Sequence, residues 1–120
     1  MAAMVRPIDL DPERYLPLKP VTFAVLAALA EGPQAGIHIL DAVNATSNRR
    51  RWLGPGTLYR LLRDLREAAL IAHATSIGPG DERQAPHELT ALGRNVLNAE
   101  LARLQRTMAL ATGRLRPTDS

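Results

Sequence analysis

The chain has 120 residues, 46% of them apolar, which fits one small domain with a single core. It lacks cysteine, which excludes disulfides and thiolate metal sites, and its histidines, His38, His73 and His87, stand at spacings that offer no metal pair, so neither metal nor cofactor is expected. Net charge is +3; the longest apolar run, Val21 to Ala30, is about half of what a membrane span needs, and the N-terminus lacks a signal pattern, so the expected location is cytoplasmic, away from any membrane.

In chain order, residues 1–19 read as an arm with three prolines, in which "DPERY" starts a short helical turn with Asp11 as N-cap. Pro20 then opens a first helix over the apolar run to Ala30, and "EGP" at Glu31 to Pro33 ends it. A second helix is expected over Gly36 to Thr46, with Ile37, Ile39, Leu40 and Val43 as its apolar stripe. A third starts at Gly54, the N-cap, and Pro55, whose missing N–H would have had no partner there. "LIAHATS", Leu70 to Ser76, alternates with period two and reads as a strand; "IGPGDERQ" is a turn and "APHEL" a weak second strand that Pro86 limits to an edge. Thr90 caps a last helix to about Ala111, in which Leu97, Leu101, Leu104, Met108 and Ala111 follow heptad spacing.

Three helices, a hairpin and a long final helix make a mainly α (α+β) winged helix-turn-helix with a two-stranded wing. The expected division is an arm at 1–19, a winged-helix domain at 20–89, a dimerisation helix at 90–113 with Leu97, Leu101, Leu104 and Met108 as its seam, and a flexible tail at 114–120. The seam runs past the end of a 70-residue core, which is the reason to expect a homodimer.

Charge is concentrated around the third helix: Arg49 to Arg66 holds six arginines against Asp64, while the rest of the chain is slightly acidic. Such local concentration is the footprint of a polyanion binder. On a helical projection Leu58, Leu61, Leu62, Leu65 and Ala69 share roughly a 100° arc that must face the core. Opposite lie Gly56, Arg60, Arg63 and Glu67; Thr57 with Asp64 flanks one edge, and Tyr59 with Arg66 the other. In helix-turn-helix proteins that outer face enters the major groove. Gly56 permits close approach, Arg60 and Arg63 can reach guanine edges or phosphates, and Thr57 and Tyr59 can bind phosphate oxygens. Arg49, Arg50 and Arg51 precede the helix, where backbone phosphates are within reach, and Arg83 in the wing is a minor-groove or phosphate contact. The competing reading of the helix is a solvated face in which Arg60 and Asp64 form an ordinary surface pair. Trp52 has two readings, a packing anchor and a ligand-stacking ring.

The stretch "LGPGTLYRLLRDLREAALI" resembles the signature of the PadR family of bacterial transcriptional regulators, in which Gly-Thr-Leu-Tyr opens the recognition helix and Leu-Ile starts the wing. "LKPVTFAVLAALAEGPQAGIHIL" resembles the family's first two helices, and "ELTALGRNVL" its Leu-Thr-x-x-Gly start of the last helix. The resemblance implies a homodimeric winged-helix protein on double-stranded, pseudo-palindromic operator DNA, usually a repressor and in some members released by a small-molecule effector. It implies backbone contacts for Thr57 and Tyr59, a core role for Leu58, and variable groove-facing positions at Arg60 and Arg63. The chain departs from the pattern at "AGI", Ala35 to Ile37, where relatives commonly carry His-Gly-Tyr, and at "RQAPHEL", where a basic, tyrosine-rich strand is usual. With Arg83 as the wing's remaining basic residue, the arginine triplet would compensate.

A function of another class stands beside this one. A winged-helix protein-interaction module would turn the arginine face to an acidic protein surface without binding DNA. An enzyme is not expected: there are no paired carboxylates, no nucleophile with a base, and "GPG" lacks the spacing of a phosphate-cradling loop.

Overall fold

Among the described residues, proline at the first helical position sets two of the four α-helices. In the computed structural model, which describes residues 8–46, 53–74 and 85–116, Pro20 opens α1 (Pro20–Ala28) and Pro55 opens α3 (Pro55–Glu67). Between them lie β1 (Gln34–Ala35) and α2 (Gly36–Ala45); β2 (Ile71–His73), β3 (Pro86–Leu89) and α4 (Ala91–Leu115) follow. Ahead of α1, Pro12–Tyr15 form a 3₁₀ turn, and the Asp11 side chain accepts from the Glu13 N–H at 3.1 Å, as the "DPERY" reading expects.

The four helices pack around one core. Val25 and Leu26 of α1, Ile39 and Val43 of α2, Leu58 and Leu62 of α3, Ile71 of β2 and Val96 of α4 are all fully buried. Burial of such side chains contributes about 1.5 to 3 kcal/mol each, and this holds together a chain too short for much redundancy. The α2 stripe differs from expectation at Ile37, which is 45% exposed; the helix buries Gly36 instead, because it turns directly out of β1.

The hairpin is β2 and β3, paired antiparallel with Ile71 opposite Leu89 and His73 opposite His87. The sheet has a third strand: β1 pairs on the far side of β3, so the order is β1-β3-β2 and β3 is central. Pro86 therefore does not confine its strand to an edge. It is the first residue of β3, and its carbonyl accepts from the Ala74 N–H at 3.0 Å; the reciprocal bond to the opposite Ala74 carbonyl is the one its missing N–H forfeits, and β2 ends one residue earlier, at His73.

The third helix stops at Glu67, two residues short of Ala69, which does not continue the leucine face. Ala69 turns left-handed (φ 63°), its N–H donates to the Arg66 carbonyl at 2.9 Å, and the Leu70 N–H donates to the Leu65 carbonyl at 3.0 Å. This is the helix C-terminal turn that usually carries glycine; here the apolar contact of buried Leu65 and Leu70 offsets the alanine Cβ penalty.

The start of α4 closes on that turn. Thr90, its N-cap, accepts from the Gly93 N–H at 2.9 Å, donates its hydroxyl to the Ala69 carbonyl at 2.6 Å, and donates its own N–H to the Leu70 carbonyl at 3.1 Å. Gly93 faces the same carbonyl: a Cβ there would lie 1.9 Å from the Leu70 oxygen. The helix then runs to Leu115, four residues past the expected end.

A second clamp fixes the other end of α3. The Asn44 side chain on α2 donates to the Leu53 carbonyl at 3.0 Å and accepts from the Leu53 N–H at 2.9 Å. Leu53 is buried and lies one residue before the N-cap of α3.

Two stability changes follow. Gly93→Ala should lower stability by about 2 kcal/mol or more, since backbone must move to admit the methyl group, with the urea midpoint as the measurement. Asn44→Ala should cost about 1 to 3 kcal/mol for two hydrogen bonds on buried backbone, and hydrogen exchange should show the loss concentrated in the first turn of α3.

Candidate nucleic-acid interface

The third helix is built as a ruler with one side fixed. Leu58 and Leu62 are fully buried and Leu65 nearly so, which points Gly56, Thr57, Arg60 and Arg63 to solvent. Its N-cap, Gly54, has no side chain to bond the first-turn N–H groups, and no side chain among the described residues caps them. A Cβ placed on Gly56 would meet nothing within 4 Å, so the fold itself does not call for glycine there.

Gly56, Tyr59, Arg60 and Arg63 line a polar hollow of about 280 Å³ on this face. Tyr59 is half-buried with its ring against the core, at the rim where the projection puts it. Among the described residues, neither Arg60 nor Arg63 makes an ion pair, and the Arg60–Asp64 surface pair of the competing reading is not formed. Both guanidinia keep their fixed charge and five donors available for an incoming anion or base edge.

Arg66, on the Tyr59 edge, is used differently. Its guanidinium donates to Nε2 of His87, 2.9 Å away, a histidine that is fully buried in the central strand. His87 in turn stands against its strand neighbour His73, with ring centroids 4.8 Å apart. The pair joins the recognition-type helix to the hairpin and takes one arginine off the exposed face. The two histidines that spacing sets apart are thus adjacent, although no group of three or more metal-ligating side chains occurs among the described residues.

Arg49, Arg50, Arg51, Trp52 and Arg83 lie outside the described residues. The seam residues separate into two kinds: Leu97 is buried in its own core and Leu104 is half-buried, whereas Leu101 is 40% and Met108 65% exposed. Leu115, four residues beyond Ala111, continues the spacing and is 84% exposed. No helix among the described residues is long and apolar enough to cross a membrane.

Three polar groups that position these elements escape sequence reasoning. Asn44 and the Arg66–His87 pair leave no local signal, because the first bridges the break between two helices and the second joins residues far apart in the chain. Glu100 leaves one: it sits four residues after Val96 and three after Leu97, on the face that enters the core. It is 1% exposed, accepts from the Leu18 N–H at 2.8 Å and pairs with Arg103. The Arg103 guanidinium holds its carboxyl below the usual carboxylate range against its burial, which acts upward, with the Leu18 N–H also lowering it.

Comparison with known proteins places this arrangement. Over 91 residues the chain is 38% identical to a 37.1 kDa protein in a Streptomyces fradiae transposon, a match that takes in 76% of this chain and 24% of that one. The chain thus spans about a quarter of the length of that relative. In fold it is similar to a PadR family transcription regulator from Clostridium difficile, with TM-score 0.64 and 19% identity over 82% of this chain and 100% of the other. It is similar also to Bacillus subtilis PadR, solved in complex with operator DNA, with TM-score 0.56 and 20% identity over 71% of this chain and 48% of that one. Residues 25–99, which include the whole of α3 and the clasp at Gly93, match the model of the transcriptional regulator PadR-like family, and the chain belongs to that family.

Proposed function

We propose that the chain binds double-stranded operator DNA sequence-specifically, as a homodimer that represses transcription. The observation that carries this reading is the outer face of α3: a helix start with no side-chain cap and two exposed arginines with no ion pair among the described residues, and Gly56 without a structural need for glycine, all on one side. A similar fold, Bacillus subtilis PadR, has been solved on operator DNA. In this reading Arg60 and Arg63 reach base edges or adjacent phosphates, Thr57 and Tyr59 take backbone phosphates, and Gly56 lets the helix sit deep. Arg49 to Arg51, before α3 in the sequence, and Arg83, between β2 and β3 in the sequence, add phosphate contacts.

The homodimer rests on α4. Leu101, Met108 and Leu115 form an exposed apolar strip at heptad spacing along a helix of 25 residues, and a second copy covers it by the same strip. A small-molecule effector is part of the proposal: α1 and α2 enclose an apolar hollow of about 490 Å³, lined by Phe23, Ala24, Ala27, Ala28 and Ala42 among others. That is within the size range of ligand sites. Trp52, outside the described residues, is a ligand-stacking candidate from sequence alone.

Selection of bound fragments from random duplexes tests the DNA reading. Arg60→Ala should cost about 1 to 3 kcal/mol at the selected site and relax preference at one base pair. Gly56→Ala should weaken binding while stabilising the helix by up to about 1 kcal/mol, a separation that a purely structural role would not give. Failure of the wild-type chain to enrich any sequence would sink this reading and favour the protein-interaction module. For the dimer, Met108→Glu should shift sedimentation from twice the chain mass to the single chain without loss of helical content; an unchanged mass would move the interface off α4.

A further inference from the structure

We infer that Lys19 is a phosphate contact of the bound duplex, placed on the Thr57 side of α3; the inference rests on the DNA-binding reading above. The N-terminal end of α1 and one edge of α3 face each other across a cleft of about 450 Å³. Lys19 and Thr22 stand on one bank, Thr57, Arg60 and Asp64 on the other, and buried Leu53 is among the apolar residues beneath. Arg60 also lines the polar hollow with Gly56 and Arg63, so cleft and hollow meet at one side chain.

The dimensions of the major groove decide what Lys19 can meet. The groove is about 12 Å wide and a helix with its side chains about 10 to 12 Å, so a helix in the groove leaves its neighbours beside the sugar-phosphate walls. A cation carried by α1, next to the edge of α3, therefore faces phosphates and not base edges. Lys19 is chemically suited to that role. It is the chain's single lysine among fourteen arginines, and a compact ammonium binds a phosphate without the planar geometry that guanidinium favours.

Its charge has no other use among the described residues. Lys19 is exposed and makes no ion pair, and although it is the N-cap residue of α1 its side chain makes no capping bond. Asp64 and the apolar floor oppose an anion seated inside the cleft, which leaves the rim, where Lys19 and Arg60 stand, as the place for negative charge. A sugar-phosphate strand running along that rim satisfies both.

Fluorescence anisotropy with the selected duplex and a scrambled one, each over a salt series, tests this. Lys19→Ala should weaken both duplexes by the same factor and lower the salt slope by about 0.9, one phosphate's worth. Between about 50 and 200 mM salt, wild type should then lose roughly three- to fourfold more affinity than the variant. Lys19→Arg should restore the slope. An unchanged slope in Lys19→Ala, with wild type still selective, overturns the inference and leaves the DNA reading standing; a wild type that binds no duplex overturns both. Protection of wild type, but not Lys19→Ala, against heat by inorganic phosphate without DNA would mark a free-anion site and also overturn it. Thermal midpoints of the free variants should equal wild type, since the side chain supports no contact of the fold.

Discussion

The close approach of α4 to the end of α3 at Gly93 is the constraint on which the remaining geometry depends. Thr90 bonds the Ala69 and Leu70 carbonyls from its hydroxyl and its N–H, and Gly93 lies against the same Leu70 oxygen. These contacts act on two of the three residues between the end of α3 and the start of β2. The axis of the exposed helix, the departure of the hairpin and the position of α4 are thereby set at one point. Each hydrogen bond contributes only about 1 kcal/mol, so the steric fit, which admits hydrogen and rejects carbon, is the more selective condition. It gives a physical reason for the spacing Leu-Thr-x-x-Gly in this chain.

Most of the helical frame is legible in the sequence because its signals are local. Pro20 and Pro55 at first helical positions, Gly54 and Thr90 as caps, and the leucine face of α3 all carry their meaning within one or two turns of chain. The sheet is less legible. A two-residue strand such as β1 has no period to detect, and without it Pro86 argues for an edge that the structure does not have. Ile37 misleads for a related reason, since the direction of α2 is fixed by its junction with β1. At the candidate interface, the outward set Gly56, Thr57, Arg60 and Arg63 follows from the projection, whereas the Asn44 clamp bridges the break between two helices, where no periodicity marks it, and the Arg66–His87 pair joins residues far apart in the chain.

The arginines of α3 are divided by where the helix meets its neighbours. Arg66 is turned toward His87 and the hairpin, while Arg63 and Arg60, one and two turns nearer the helix start, have no partner of opposite charge among the described residues. A helix with all three arginines outward would carry more charge but a less firmly held wing. The same division keeps the polar hollow near the helix start, where the backbone N–H groups add to it.

Glu100 has a mechanical consequence. It is buried one residue before Leu101, where the exposed strip of α4 begins, and it holds the N–H of Leu18, one residue before the cap of α1. In the dimer proposed above, a tilt imposed on α4 by a second copy would reach the front edge of α1 both through this carboxylate and through the direct packing of α4 on α1 and on the 3₁₀ turn. On that reading the angle between two paired copies would be tied to the separation of their outward helices, the quantity that a two-fold DNA site, with half-sites about 34 Å apart, measures.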